Sequence, residues 1–95
     1  MPLTGKQRRT LRALGHHLTA VVFVGQNGVT PALVAATEQA LVDHELVKVK
    51  VGDAPDDRHD VAVALSAATG SEVAQVLGKT VLLFRKRPKN SKIAV

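Results

Sequence analysis

The sequence predicts one α/β (α+β) domain in the order α-β-α-β-α-β-β, with a four-stranded mixed sheet and helices mainly on one face. Three observations carry this reading. Segments with helical spacing alternate with short β-branched runs, the pattern of αβ crossovers and parallel pairing. The last two runs, Glu72–Leu77 and Thr80–Phe84, are separated only by Gly78-Lys79, a hairpin that adds an antiparallel pair. Finally, 95 residues make one domain, and 45% hydrophobic content supports a core without metal or disulfide staples.

The elements follow in order. Thr4-Gly5-Lys6-Gln7 fits a capping box, because Gln7 can reach back to the cap's amide. The helix it opens places Leu11 and Leu14 on one side and its basic residues on the other, with Gly15 as the expected left-handed stop. Ala20–Val24 is an apolar, β-branched run and reads as a strand buried on both faces or nearly so. Gly25-Gln26-Asn27-Gly28 breaks it. Thr30 then caps a second helix with Pro31 in its first position, and Leu33, Val34, Ala36, Ala40 and Leu41 mark its inner side as far as His44.

Glu45–Val51 alternates, with Val47, Val49 and Val51 on one face and Leu46, Lys48 and Lys50 on the other. Residues 52–56 are a loop. Asp57 caps a third helix through Thr69, with Val61, Ala62, Leu65 and Ala68 inward and Gly70 ending it. After the hairpin, residues 1–88 are complete as a domain, and residues 89–95 read as a basic, flexible tail.

Charge is distributed unevenly. The net charge is +5, yet residues 21–78 hold all eight acids against Lys48, Lys50 and Arg58 and sum to −5. The excess is terminal: Lys6, Arg8, Arg9 and Arg12 at one end, and Lys79, Arg85, Lys86, Arg87, Lys89 and Lys92 at the other, with no acid among either group. A fold that joins the two ends makes one cationic surface suited to a polyanion. Solubilising charge on an ordinary helix and tail is the plainer alternative.

Several chemistries are excluded. Without cysteine there is no thiol nucleophile, disulfide framework or cysteine–zinc site. Gly78-Lys79-Thr80 resembles the end of a phosphate-binding loop, but residue 73 is Val where that motif needs Gly, and a strand follows instead of a helix. His16, His17, His44 and His59 lack the i, i+4 spacing of a helical metal site, so no metal and no cofactor are expected. Asp53, Asp56, Asp57 and Asp60 cluster where capping places acids, and no nucleophile–base pair is visible. The protein therefore reads as no enzyme and takes no small-molecule substrate. The longest apolar run has five residues, too short to span a bilayer, and no apolar leader opens the chain. A cytoplasmic monomer away from membranes is expected. With only Phe23 and Phe84 as aromatics, both in strands, extensive base stacking is not expected.

Gly25-Gln26-Asn27-Gly28 remains. Glycines let another backbone approach, and the loop feeds a capped helix whose positive end suits a phosphate. KH domains clamp a nucleic-acid backbone with a Gly-x-x-Gly loop. Alone, such a loop is more often an ordinary strand-to-helix turn. Beside cationic segments it becomes a lead.

Four segments together carry a family resemblance: Leu3-Thr4-Gly5-Lys6-Gln7 with Leu11-Arg12; Val24–Thr30; Ala40-Leu41 with His44–Lys50; and Gly78–Arg85. Collinear from Leu3 to about Pro88, the chain resembles stand-alone bacterial CRM-domain proteins (chloroplast RNA splicing and ribosome maturation), the YhbY-like group. The resemblance implies a fold like KH domains and the C-terminal domain of a translation initiation factor. It also implies RNA binding and association with precursors of the large ribosomal subunit. The implied RNA surface is Gly25, Gln26, Asn27 and Gly28 with neighbouring basic residues. Two departures stand out. The family's loop often holds a Lys, where Gln26 and Asn27 are neutral, and its usual Leu-Tyr-Arg appears as Leu83-Phe84-Arg85.

The expectation is thus a non-catalytic binder of structured ribosomal RNA acting in ribosome assembly. Lys6, Arg8, Arg9, Arg12, Lys48, Lys50, Lys79 and Arg85 would contact phosphates, and the Gly25–Gly28 loop would position the backbone. Two rivals are a basic protein-interaction module on an acidic partner and a small hydrolase acting on RNA.

Overall fold

The computed structural model of the chain describes residues 3–53 and 57–93. Positions 54–56 of the expected loop and the last two residues of the expected tail lie outside them. Seven elements follow the anticipated order: α1 (Gly5–Gly15), β1 (Val22–Val24), α2 (Pro31–His44), β2 (Leu46–Val51), α3 (Arg58–Thr69), β3 (Glu72–Leu77) and β4 (Thr80–Phe84). They form a four-stranded sheet in the order β1-β2-β4-β3. β1 pairs parallel with β2, and β4 runs antiparallel to both β2 and β3.

Local chemistry sets the helix ends. Thr4 accepts the Gln7 amide at 3.1 Å and donates its own amide to the Gln7 side chain at 2.8 Å, closing the capping box. Thr30 accepts the Leu33 amide at 3.1 Å, with Pro31 following it. Asp57 accepts the His59 amide, and Gly70 ends α3 at φ +66°.

Alternation splits the sheet into two faces. Val22, Val24, Val47, Val49, Val51, Val81 and Leu83 enter the larger core with Leu41 of α2 and Val61, Ala62 and Leu65 of α3. On the other face Leu46, Leu82, Phe84 and Ala74 pack with Leu3 and with Leu11 of α1. Burying a side chain such as Leu11 contributes about 1.5–3 kcal/mol. Two helices thus share one face, as anticipated, and α1 covers part of the other. Val21, Phe23 and Lys50 of that second face stay exposed.

Four local expectations change. Gly15 is the last residue of α1 and is not a left-handed stop; His16 caps the helix in a right-handed conformation. A Cβ on Gly15 would lie 2.7 Å from Leu82 Cδ2, so the glycine serves close helix–sheet packing. β1 is a three-residue edge strand with its middle side chain exposed, not a strand buried on both sides. Inside the helices Thr37 and Thr69 are buried, while Ala36 and Ala68 are exposed. Each threonine hydroxyl donates one turn back, to Leu33 O at 2.8 Å and Leu65 O at 2.7 Å, which makes its burial affordable.

The fourth concerns the chain after β4. The Glu45 side chain, fully buried, accepts the Arg87 amide at 3.1 Å, the Lys92 amide at 2.6 Å and the Ser91 hydroxyl at 2.6 Å. Ile93 packs beside the second core. The stretch expected to be loose from residue 89 therefore folds back and is held to the body as far as residue 93.

Candidate nucleic-acid interface

One end of the sheet gathers segments that are distant in sequence. Because β1 and β2 run parallel, their C-terminal ends lie side by side, and Gly52 donates its amide to Val24 O at 2.8 Å. The β3–β4 hairpin reaches the same end: Val51 donates its amide to Lys79 O at 2.7 Å, and Arg58 Nη1 donates to Gly78 O at 2.7 Å. A 230 Å³ cleft there is lined by Val51, Gly52, Asp57, Arg58, Gly78 and Lys79.

The Gly25–Gly28 turn leaves from this end. It is closed by the Gly28 amide donated to Gly25 O at 3.0 Å. The amides of Gln26 and Asn27 have no acceptor among the described residues. The two glycines differ. Gly28 is buried at φ +66°, which a side chain would strain. Gly25 has no such angle, and a Cβ there meets nothing within 4 Å. Space over Gly25 leaves room for an approaching backbone.

Lys48 and Lys50 stand on the face that α1 only partly covers, Lys50 exposed and Lys48 half-buried. Lys50 is in register with Phe23 on one side and Thr80 on the other. The side chains sharing this face of β1, β2 and β4 include no acid: they are Val21, Phe23, Leu46, Lys48, Lys50, Thr80, Leu82 and Phe84. Lys6, Arg9 and Arg12 recur every three residues along the exposed side of α1. Leu14 and Leu18 meet Val21 and Lys48 in an apolar groove of 380 Å³.

Two of the anticipated cations are engaged elsewhere. Arg85 points to the opposite face, where it pairs with Glu38 of α2 and donates to Thr69 O at 2.8 Å. Arg8 is half-buried and donates to Leu3 O at 3.0 Å. The structure thus brings together Gly25–Gly28, Lys50 and Lys79, places Lys48 next along β2, and separates Arg85 from them. Sequence reasoning missed Arg58, whose only signal was being a cation in an otherwise acidic stretch. It also passed over Phe23, whose ring is exposed because β1 lies at the sheet edge.

The cleft is not uniformly cationic. The Asp57 carboxyl is held below its ordinary value, chiefly by the His59 amide, with the His59 ring adding to this. Among the described residues no group of His, Cys, Asp or Glu is placed to hold a metal ion. No described helix is long and apolar enough to cross a membrane.

A family model for the CRS1 / YhbY (CRM) domain matches residues 3–85. The chain belongs to this CRM family. As a CRM domain it is a binding module and not an enzyme. Over 93 residues it is 43% identical to the probable RNA-binding protein PA4753 of Pseudomonas aeruginosa, covering 97% of this chain and 89% of that protein. Over 92 residues it is 39% identical to the probable RNA-binding protein YqeI of Bacillus subtilis, covering 96% of each. The solution structure of SAV1595 from Staphylococcus aureus superposes with a TM-score of 0.83 at 34% identity, over 98% of both chains. The fold is therefore shared with that structure over nearly the full length of both chains.

Proposed function

We infer that this CRM domain binds RNA, and that its RNA is structured ribosomal RNA in precursors of the large ribosomal subunit. The observation that carries the reading is the convergence of the Gly25–Gly28 turn, Lys50 and Lys79 at one end of the sheet, with Lys48 next along β2. Neutral amides in the turn position a phosphate, while the lysines and the Lys6–Arg9–Arg12 stripe supply sequence-independent attraction. The names of PA4753 and YqeI, both probable RNA-binding proteins, support RNA as the partner. A cytoplasmic, monomeric assembly factor fits this role.

Sedimentation of cell extract on a sucrose gradient, with and without RNase, tests it. Co-migration with large-subunit precursors that RNase abolishes, followed by crosslinks to ribosomal RNA, is expected. Co-migration that survives RNase would mean an acidic protein partner instead.

A further inference from the structure

Phe23 stands in the middle of β1, between two valines that enter the core, so alternation sends its ring to the other face. There it is 62% exposed. A single exposed apolar residue needs no explanation, but this one has particular company. Its register partner is Lys50, with Lys48 and Thr80 on the same face and no acid among them. Gly25 follows two residues later, about 7 Å along the strand. The second aromatic, Phe84, is buried and offers no alternative ring.

We propose that Phe23 is the stacking platform for one unpaired nucleobase, with Lys50 on the adjoining phosphate. An exposed ring beside cations that track a backbone is how proteins hold single-stranded nucleic acid, because every base has a π-face. The strand geometry fits: a base laid on Phe23 leaves its backbone running towards the Gly25–Gly28 turn, whose Gln26 and Asn27 amides have no acceptor among the described residues. Charge decides the occupant, since the side chains of β1 and β2 around the ring include two lysines and no acid, which favours a polyanion over an apolar protein segment, and the acid of this face, Glu72, lies on β3 at the opposite margin. This inference rests on the RNA-binding reading. It adds a preference for an unpaired position within otherwise structured RNA.

The test compares the intact protein with Phe23→Ala and Phe23→Trp on a short RNA hairpin carrying an unpaired loop and on a fully paired duplex of similar length. Phe23→Ala should weaken hairpin binding about fivefold or more and leave duplex binding unchanged. The slope of log K against log salt should stay as in the parent, because no phosphate contact is lost, whereas Lys50→Ala should flatten it by about 0.7. Phe23→Trp should keep the affinity and show fluorescence quenching on the hairpin, and the parent chain has no Trp to obscure that signal. Unchanged hairpin binding by Phe23→Ala, with parent-like melting, would overturn the platform while leaving RNA binding intact. A parent protein that binds neither RNA would overturn the RNA reading itself. A dimer in the RNA-free parent that Phe23→Ala converts to monomer would assign the ring to a contact between copies and also overturn the platform.

Discussion

The Glu45 carboxylate accepts the Lys92 amide at 2.6 Å, tying the end of α2 to a segment 47 residues later. Glu45 itself sits at φ +63°, ends α2 by donating its amide to Leu41 O, and accepts the Arg85 amide on its carbonyl. Four later residues thus converge on one glutamate: Arg85, Arg87, Ser91 and Lys92.

Replacing Glu45 by Gln should cost about 1–3 kcal/mol, since charge-assisted bonds are lost and an amide donor faces donors. That corresponds to a fall in melting temperature of roughly 4–8 °C per kcal/mol for a domain of this size. Hydrogen exchange should show residues 87–93 losing protection first. Unchanged protection there would place the anchor elsewhere, for instance on Ile93.

The same carboxylate makes stability depend on acid. Burial pushes its pKa up, but the Ser91 hydroxyl, the Lys92 and Arg87 amides and the Arg87 charge together hold it below the ordinary 4.5. With the folded value below the unfolded one, the unfolded state binds the extra proton in between. The contribution is therefore complete above pH 4.5 and is lost as the pH falls through the lowered folded value. Denaturant melts should show parent stability dropping on acidification below that point, and Glu45→Gln dropping less. Parallel curves would mean the carboxylate does not contribute.

Arg85 separates folding from binding. Its guanidinium is committed to Glu38 and Thr69 on the face away from Lys48 and Lys50. Arg85→Ala should lower the melting temperature and leave RNA affinity within about twofold, allowing one lost charge contact of roughly 0.3–0.5 kcal/mol. A large loss of RNA affinity in a stably folded variant would return Arg85 to the binding surface.

The paired change Lys48→Ala with Lys50→Ala should do the reverse. Lys50 is exposed and Lys48 only half-buried, outside both cores, so melting should move by no more than about 0.5 kcal/mol equivalent per site. RNA binding should weaken, and the salt slope, expected near about −3 to −4 for four to six phosphates on single strands, should flatten by about 1.4. A slope near zero in the parent protein would remove the electrostatic basis of the interface.

The two glycines of the turn should behave differently. Gly28→Ala meets a positive φ and should cost about 1–2 kcal/mol of stability. Gly25→Ala enters open space and should leave melting unchanged. It should still weaken RNA binding, because the added methyl occupies the approach to the turn amides. Gln26→Lys should strengthen binding. RNA affinity indifferent to both Gly25→Ala and Gln26→Lys would reduce the turn to a connection.

Features set within a few residues were legible before the fold. The Thr4–Gln7 box, Thr30-Pro31, the Asp57 cap, Gly70 and the Gly78-Lys79 hairpin each depend on neighbours in sequence. What depended on distant partners was not. Ala20–Val24 has the composition of a central strand, and only the order β1-β2-β4-β3 puts it at an edge and exposes Phe23. Gly15 looks like a stop until Leu82 is placed against it. Arg85 looks like one more cation of a basic end until Glu38 and Thr69 appear beside it. Glu45 ends a helix without a glycine and with its carboxylate turned inwards, which no local pattern announces. For the candidate site, the Gly25–Gly28 turn was visible as a motif, whereas the arrival of Lys79 and Arg58 at the same end of the sheet required the β1–β2 and β2–β4 pairings.

The two margins of the sheet carry a consequence for behaviour at high concentration. A long, flat margin recruits further strands from other molecules. Here one margin is β1, only three residues long, and the other is β3, whose pairing with β4 slips between Val73 and Gln75. Neither offers an uninterrupted ladder on which a second chain could grow. Val21, Phe23 and Leu77 are thus exposed beside margins too short or too irregular to template a long added strand.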